Sequence, residues 1–423
     1  MMRKTLHGVL ALSLLSLSCA STKIENMDEL SEQLVLYSDE ENLWQQSDEL
    51  QEAIHEGGFI YDNAELQQYV NDVLDKVVGN VEQEHQIDLR AYLIKDPYFN
   101  AGTYPNGVIH VHTSIIALFE NEAQLATLLA HEATHFINRH YLRHKRSLIN
   151  KSAFFQFVDI TLAGASGVST SAVSSGSIAL ARILGGFGML ATVYGYSRNL
   201  ETEADFKAFD LILKCGYAPE ETLKAYQLLA DATKDEKTKV PYFYHTHPKM
   251  EVRVRNFERL LEEYRRETPD APQGKTFAEE YQRYLKDILL DNAELDLKMH
   301  RFLSADRQLN RYQNMNGVNA RVRYLQGKSH AANALSKLRG RHPKREQPDI
   351  EQEADALKAS AYRDFHDALA LNEDYPPALK ELGMLYYRDR QMDQAKKYFQ
   401  QFLSVQPDDV DAAYIRGYIH EME

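Results

Sequence analysis

Two hydrophobic periods follow one another along the chain. Apolar residues first recur at the spacing of an amphipathic helix, at Leu66, Val70, Val73, Leu74 and Val77. The next stretch, DLRAYLIKDPYFNAGTYPNGVIHVHTSII, alternates between apolar and polar positions and is interrupted by two prolines and an Asn-Gly pair. This pattern predicts a strand, a loop and a second strand at Val108–His112.

A further helix is predicted to begin after Asn121, a good N-cap residue with Gln124 at the capping-box position. It contains the stretch TLLAHEATHFINRHYLR, in which His131 and His135 are four residues apart within an apolar run. The stretch has two interpretations, a metal site or a buried helix that carries histidines. We interpret the two histidines that follow, His140 and His144, as interface residues outside any such site.

Residues 152–196 are rich in glycine, serine and alanine and include the apolar run IALARILGGFGMLATVY. The run holds one arginine and three glycines within 17 residues. We interpret it as a buried helix or as a loop packed through its small residues. A hairpin that dips into a membrane is the alternative, because this length is borderline for a span.

From about residue 273 the chain consists of charged helices rich in tyrosine and leucine, with positions that recur every 34 residues. Gly417 follows Gly383 by 34 residues, and Gly327 follows Ala293 by the same interval. This is the period of the tetratricopeptide repeat, a helix pair that stacks on its neighbours to form a concave binding surface. The most complete repeat carries Leu379, Leu382, Gly383, Tyr386, Ala395, Phe399 and Pro407.

The repeat array over 286–423 contains one interruption. Gly327 and Gly383 are out of phase by about 22 residues, which an insertion at about residues 335–352 supplies. We interpret the basic run of this insertion as a solvated loop, with docking to an acidic partner or to lipopolysaccharide as the minor alternative. Its members are Lys337, Arg339, Arg341, Lys344 and Arg345. Generic helical hairpins are the alternative to the whole array.

The N-terminal stretch MMRKTLHGVLALSLLSLSCAS places two basic residues before a short apolar stretch and small residues. That is the organisation of a secretory signal peptide, because the apolar stretch is too short to span a bilayer. Cys19 resembles the lipidated cysteine of bacterial lipoproteins, although Ser16 and Leu17 depart from the preferred pattern, and a plain cleaved signal is the alternative. Ala20 is typical of lipoproteins sorted to the outer membrane. We therefore predict a periplasmic protein anchored to the outer membrane through a lipidated Cys19.

Together these patterns predict a mainly α fold in three segments. Residues 1–18 are the signal peptide, residues 19–272 form an α+β domain with a small sheet, and residues 273–423 form an α-helical tetratricopeptide solenoid. The formal net charge of −14 argues against nucleic acid as the main partner, since phosphate binding needs a concentrated basic face. Besides Cys19 only Cys215 remains, so no disulfide framework is expected.

Metal chemistry is carried by the HEATH stretch. His131 and His135 lie on one face of a helix, because positions i and i+4 are stacked, so both imidazoles can bind one ion. Glu132 projects beside that ion as a general base, which is the H-E-x-x-H arrangement of zinc peptidases. Tyr141 excludes the class in which a third histidine follows six residues after the second one. The other common third ligand is a glutamate from a later helix.

The stretch YSRNLETEADFKAFDLILKCG provides that glutamate. Glu201 and Asp205 are again four residues apart, so both can face the metal helix, whereas Ala204 and Ala208 form a buried stripe. We predict that Glu201 is the third ligand and that Asp205 accepts the free ring N–H of a ligating imidazole, His131 by preference. A solvated face with two carboxylates is the alternative.

Four stretches, NAGTYPNGVIHV, HEATH, SRNLETEAD and HTHPKMEVR, resemble a family of zinc metallopeptidases, the gluzincins that include the HtpX heat-shock protease and the CAAX prenyl proteases. The resemblance covers roughly residues 60–260. With its signal peptide and C-terminal repeats, the chain is most similar to the periplasmic members of that family. The resemblance implies one zinc ion per chain and hydrolysis of peptide bonds in misfolded or stalled envelope proteins.

The resemblance also implies roles for two residues of the HTHPKMEVR stretch. His247 would stabilise the oxyanion of the reaction, or else occupy the fourth zinc position and hold the enzyme latent. Arg253 would orient His247 or pair with a carboxylate such as Glu201 or Asp205.

The substrate edge is implied by the NAGTYPNGVIHV stretch. An extended substrate would pair with the strand around Val108–Val111 or with the preceding Asn100 and Ala101, by strand addition. At Gly102-Thr103 the chain departs from the bulkier residues that the family favours, which affects the shape of this edge.

Two hypotheses of different classes remain. The first is a zinc endopeptidase for outer-membrane protein quality control, whose repeats bind protein substrates or the outer-membrane protein assembly machinery. The second is an assembly factor that acts through the repeat surface and has a latent zinc site. The presence of Glu132 and of every ligand favours the first.

Overall fold

The computed structural model describes residues 24–30, 34–85, 87–148, 196–234, 250–340 and 347–422. The predicted signal peptide, Cys19, the stretch 152–195 and His247 lie outside the described residues. Within the described ranges, no helix combines the length and the apolar character needed to cross a membrane.

The prediction of a mainly α fold with a small sheet is confirmed. After a single 3-10 turn, the N-terminal part contains in order α1 (Ser38–Glu56), α2 (Ala64–His85), β1 (Arg90–Ile94), β2 (Ala101–Thr103), β3 (Val108–His112), α3 (Thr113–Leu118), α4 (Glu122–Ile137), α5 (His140–Leu148), α6 (Arg198–Lys214), α7 (Glu220–Lys234) and α8 (Met250–Glu267). The C-terminal part is helical, with α9 (Ala278–Lys298), α10 (Phe302–Asn316), α11 (Ala320–Arg339), α12 (Gln347–Leu371), α13 (Pro376–Arg388), α14 (Met392–Val405) and α15 (Ala412–Glu421).

The sheet has the strand order β1-β3-β2, with β3 parallel to β1 and antiparallel to β2. The predicted strand Val108–His112 is therefore the central strand, and all five of its residues are buried. The expectation that the strand around Val108–Val111 pairs with an extended substrate is wrong, because both of its edges are already hydrogen-bonded. Among the described residues, no further strand pairs with the outer edge of β2, a three-residue strand that the sequence pattern did not predict.

Helix α4 lies in the middle of the N-terminal part, and all 16 of its residues are buried. It packs against α2, α6, α7 and the sheet. The predicted N-cap is present, since the Asn121 Oδ1 accepts the Gln124 backbone N–H at 3.1 Å, while the Gln124 side chain accepts the Glu120 N–H at 2.8 Å. Burial on all sides explains why the apolar residues of this helix are not confined to one stripe.

The hydrophobic core of the N-terminal part continues through α9 and α10 as far as Leu325 in α11. Buried polar contacts reinforce this continuity: Thr113 donates to the Asn292 side chain at 2.8 Å, and Arg301 donates to the Pro97 carbonyl at 2.7 Å. Arg311 donates to two carbonyls at the end of α3, both at 2.7 Å. The domain boundary after residue 272 stays a prediction, and the packing itself crosses it without a break.

The helix pairs α11–α12 and α13–α14 share one packing contact, in which a glycine of the first helix lies against a phenylalanine ring of the second. A Cβ added to Gly383 would lie 2.4 Å from ring carbons of Phe399, and one added to Gly327 would lie 2.6 Å from the Phe365 ring. The first contact spans 16 residues of sequence and the second 38, a difference of 22 residues, which is the number by which Gly327 and Gly383 are out of phase. Residues 335–339 and 347–352 extend the two helices of the pair, and residues 341–346 lie outside the described part. The assignment as tetratricopeptide repeats stays a prediction.

Candidate metal centre

Two imidazoles of α4 have their Nε2 atoms directed towards each other. The Nε2 atoms of His131 and His135 are 3.0 Å apart, and both residues are fully buried. Their spacing of four residues places both rings on the same face of the helix. Two lone pairs therefore converge on one point, which is the arrangement that a shared cation stabilises.

Glu201 approaches the same point from the first turn of α6. Its Oε2 lies 3.5 Å from the His131 Nε2, and its Oε1 lies 3.7 Å from the His135 Nε2. One ligand atom from each of the three residues lies within 4.8 Å of the others. Two imidazole nitrogens and one carboxylate are a donor set that suits a zinc ion with an open fourth position, so these residues fit the metal that the sequence implies.

The side of His131 that faces away from this point is held by Asp205 and Arg253. The His131 Nδ1 lies 3.2 Å from the Asp205 Oδ1, which also accepts from the Arg253 Nη2 at 2.5 Å and from its Nε at 3.0 Å. The Arg253 Nη2 is also 2.7 Å from the His131 Nδ1. A His131 that coordinates through Nε2 keeps its proton on Nδ1 and can only donate there, so Asp205 is the relevant partner and Arg253 neutralises that carboxylate.

The charges of this group are strongly coupled. Although burial disfavours the ionised Asp205 carboxyl, the Arg253 guanidinium and the His131 imidazole together lower the pKa of Asp205. Burial and Arg253 oppose protonation of His131, but its contacts with Asp205 and Glu201 prevail and raise the pKa of His131. Arg253 stacks on the Tyr226 ring at 4.0 Å and donates to its hydroxyl at 2.5 Å. The guanidinium is thus fixed on two sides within the buried interior.

His135 has two further aromatic neighbours. The Tyr196 ring stacks on it with centroids 4.0 Å apart and an interplanar angle of 11°. The His140 Nδ1 lies 2.9 Å from the His135 Nδ1. The expectation that His140 lies outside the site is therefore wrong, whereas His144 contacts Tyr196 edge-on at a ring distance of 6.2 Å.

His140 comes back towards His135 because α4 ends at Ile137 and the chain reverses. Arg139 adopts the left-handed conformation, with φ of 49°, and α5 begins at His140. A continuous helix would have placed a residue five positions after His135 on a different face. Sequence periodicity alone therefore misses this contact.

Glu203 lies between α5 and α6. It accepts from Arg143 at 2.9 and 3.1 Å and from Asn138 at 2.8 Å, and its Oε1 lies 3.5 Å from the His140 Nε2. The contacts with His140 and Arg143 outweigh partial burial and lower the pKa of Glu203 to about 2. Glu203 is therefore ionised at neutral pH.

Glu132 is connected to the edge strand through Thr103. The Thr103 hydroxyl lies 2.7 Å from the Glu132 carbonyl oxygen and 3.1 Å from its Oε2. The Asn100 carbonyl accepts the His112 N–H, and Tyr104 donates to the Val108 carbonyl, so these residues point their backbone groups at β3. Because such pairs alternate along an antiparallel ladder, the backbone groups of Ala101 and Thr103 point to the open edge. The small Thr103 thus places the edge of the sheet next to the predicted base.

The structure brings together most of the residues that the sequence singled out. His131, Glu132, His135, Glu201 and Asp205 share one buried cluster. Arg253 joins it through Asp205, and its Nη1 lies 3.9 Å from the Glu201 Oε2. Asn100 and Ala101 lie at the start of β2, and Cys19 and His247 lie outside the described residues. The sequence interpretation missed Thr103 as a partner of Glu132, and it missed Tyr196, Tyr226 and His140, because each enters the site through tertiary packing.

Comparison with known proteins supports one assignment. The family model for Peptidase family M48 matches residues 62–261. The mitochondrial metalloendopeptidase OMA1 of Schizosaccharomyces pombe is 31% identical over 206 residues, which cover 48% of this chain and 56% of that relative. The beta-barrel assembly-enhancing protease of Yersinia pestis is 25% identical over 195 residues, which cover 46% of this chain and 38% of the relative.

The corresponding protease of Escherichia coli strain K12 is also 25% identical, over 190 residues that cover 45% of this chain and 37% of the relative. The alignments thus span just over half of the first relative and little more than a third of the other two. The three candidate ligands His131, His135 and Glu201 lie inside the matched segment. The same segment contains Glu132, Asp205 and Arg253. Residues 62–261, just under half of this chain, thus match Peptidase family M48, and the match supports an assignment to a zinc metallopeptidase family.

Proposed function

We propose that this protein is a zinc-dependent endopeptidase that binds one zinc ion per chain through His131, His135 and Glu201. The observation that carries the proposal is the convergence of two imidazole nitrogens and one carboxylate in a buried pocket, with Glu132 on the same helix as the two histidines. When bound, zinc would act as a Lewis acid and lower the pKa of a coordinated water to about 7.

Glu132 is the general base of this proposal. Its carboxylate would accept the proton of the attacking water and pass it to the leaving amine. This role requires a carboxylate that can gain and lose a proton while its position stays fixed. The Thr103 hydroxyl, 3.1 Å from the Glu132 Oε2, provides part of that fixation. His247 remains our candidate for stabilising the oxyanion or for holding the enzyme latent.

We propose that the substrate binds as an added strand beside β2. The outward backbone groups of Ala101 and Thr103 offer hydrogen bonds to an extended peptide, and Asn100 lies at the entrance of this edge. Recognition through backbone groups suits an enzyme that cleaves many unfolded sequences. The contact between Thr103 and Glu132 would place the bound peptide next to the base.

We further propose that the protein works in the bacterial envelope, as a lipoprotein anchored through Cys19, on misfolded or stalled outer-membrane proteins. The N-terminal signal pattern supports export, and the name of the beta-barrel assembly-enhancing proteases supports the substrate class. Helices α9–α15 would bind substrates or the outer-membrane protein assembly machinery. The mitochondrial relatives show by their name that related chains work in another compartment.

The test is zinc quantification together with chelator-sensitive cleavage of casein by the form lacking residues 1–19. We expect one zinc per chain and cleavage that a chelator abolishes and added zinc restores. Absence of both zinc and cleavage would contradict the proposal.

Replacing Glu132 distinguishes the proposed enzyme from the alternative, a non-proteolytic assembly factor. The nearly complete burial of the candidate metal centre favours that alternative, because a substrate needs access to the site. Glu132→Gln keeps the shape of the side chain and the metal ligands, so zinc content should stay at one per chain while kcat falls by about 10²–10⁴-fold. If Glu132→Gln corrects every defect of a deletion strain, the protein acts mainly without proteolysis.

A further inference from the structure

The two ligand imidazoles are supported by different chemistry on the side that faces away from the proposed metal. The His131 Nδ1 faces the Asp205 carboxylate directly, at 3.2 Å. The His135 Nδ1 faces another imidazole, the Nδ1 of His140, at 2.9 Å. A direct carboxylate partner is a common arrangement for a metal-bound histidine, whereas the contact with His140 needs its own explanation.

The protonation states of the two rings follow from metal coordination. A neutral His135 that coordinates through Nε2 carries its only proton on Nδ1 and donates it there. The His140 Nδ1 must then accept, so the proton of a neutral His140 sits on its Nε2. That Nε2 lies 3.5 Å from the Glu203 Oε1. The first contact is therefore a hydrogen bond from His135 to His140, and the second places the Nε2–H of His140 opposite a carboxylate at the distance of an electrostatic contact.

The surrounding structure holds this chain of groups in place. His140 is fully buried, and Glu203 is fixed by Arg143 at 2.9 Å and by Asn138 at 2.8 Å. The reversal before His140 is held by Arg139, whose Nε lies 3.2 Å from the buried Glu40 and whose Nη2 donates to the Val35 carbonyl at 3.2 Å. The position of His140 is thus determined by contacts from α1, α5 and α6.

We infer that His140 is a positioning residue for the metal ligand His135. Its Nδ1 accepts the His135 Nδ1–H and fixes the tautomer and the ring orientation, and the nearby negative charge of Glu203 favours the His140 tautomer that carries its proton on Nε2. This inference rests on the proposed zinc site. Groups in this position typically change metal affinity by about 10–100-fold when they are removed.

The test compares two replacements of His140 in the purified full chain. His140→Leu removes the acceptor and keeps an apolar side chain in a buried place. His140→Asn places an amide oxygen near the former position of Nδ1 and keeps the acceptor. The zinc Kd is measured by competition with a chelator, and the d–d absorption spectrum is recorded after substitution with Co²⁺. His110→Leu, at a buried histidine of β3 that bonds to Gln51 instead, is the matched control for loss of a buried imidazole.

We expect His140→Leu to raise the zinc Kd by about 10–100-fold and to alter the Co²⁺ spectrum. His140→Asn should stay within about threefold of the wild type, and His110→Leu should leave the Kd unchanged. Equal weakening in the Leu and Asn variants would show that His140 acts by packing alone and would overturn the inference. Equal Kd values in wild type and His140→Leu would overturn it as well, without affecting the proposed function. A wild-type protein that binds no zinc would overturn both.

Discussion

The interior around α4 and the interior of the α13–α14 pair bury their residues in opposite ways. Helix α4 buries seven polar or charged residues along its length, Glu122, Gln124, Thr127, His131, Glu132, Thr134 and His135. The α13–α14 pair buries almost only apolar groups, Ala378, Leu379, Leu382, Gly383, Leu385, Ala395, Tyr398, Phe399 and Phe402. One interior is built around hydrogen bonds and charge, and the other around the shapes of apolar side chains.

The difference in polarity matters because buried polar groups need hydrogen-bond or charge partners, which buried apolar groups do not. An unpaired buried polar group costs about 1–3 kcal/mol, so a polar interior persists only when each group has partners. Glu122 illustrates this, because it accepts from Tyr69 and Tyr217 at 2.7 Å and from Lys76 at 2.8 Å. Its partners come from α2 and from the segment before α7. A single change in this interior therefore affects several elements through polar contacts, whereas a change in the α13–α14 pair affects the apolar packing that it shares with α12 and α15.

The largest expected effect is the loss of the buried Arg253. Replacing it by Met leaves the Asp205 carboxylate buried without its cation, so we expect the free energy of unfolding to fall by about 3–5 kcal/mol. The measurement is urea unfolding of the metal-free protein, followed by the fluorescence of Trp44. This is the only tryptophan of the chain, and its ring lies 5.8 Å from that of Phe136 at the end of α4.

The control is the double variant Arg253→Met, Asp205→Asn, which removes the uncompensated charge. It should be more stable than Arg253→Met alone, because the two residues act as one pair. If both variants unfold at the same urea concentration, the loss comes from the volume of the arginine side chain and the argument about charge is wrong.

The convergence of His131, His135 and Glu201 in the candidate metal centre was predictable because it depends on local helical geometry. His131 and His135 are one helical turn apart, as are Glu201 and Asp205, and the chemistry of the side chains tells which face is used. The packing of Gly327 and of Gly383 against an aromatic ring agrees with the recurrence of these two glycines in the sequence, while the insertion at about residues 335–352 stays a prediction.

The rest depends on contacts that no period encodes. Strand β2 has three residues and exists through its pairing with β3. His140 reaches His135 because a non-glycine residue, Arg139, takes a positive φ, and neither Gly nor Pro stands next to it. Tyr226 enters through the packing of α7 against α8. These features arise from tertiary packing, and sequence patterns in a single chain do not reveal which of many such contacts forms.

The second prediction concerns pH and the buried imidazole of His110. Burial, together with the neighbouring His112 and His55, lowers the pKa of His110 from 6.5 to about 3. The unfolded chain therefore takes up a proton below pH 6.5 that the folded chain refuses until about pH 3. Stability falls as the pH drops through this window, by about 2 kcal/mol between pH 7 and pH 5. The variant His110→Gln should lose that much less stability over the same range.

The measurement is urea unfolding at pH 7 and pH 5, with chelator present so that release of metal does not contribute. His420→Gln, at an exposed position of α15, is the control and should keep the wild-type pH dependence. Identical pH dependence in wild type and His110→Gln would show that His110 is already protonated in the folded protein.

The smallest expected effect tests the apolar interior. Gly383→Ala places a methyl group 2.4 Å from the Phe399 ring, so we expect a loss of about 1–2 kcal/mol from overpacking. Gly417, 34 residues later, has no such neighbour within 4 Å, and Gly417→Ala should instead gain up to about 1 kcal/mol of helix propensity. Thermal unfolding followed by circular dichroism measures both, and Trp44 fluorescence should not change with Gly383→Ala. If both substitutions stabilise the protein, the Phe399 ring can move away from the added methyl group. Tight packing of apolar side chains would then contribute less to the stability of the α13–α14 pair than we infer from its comparison with α4.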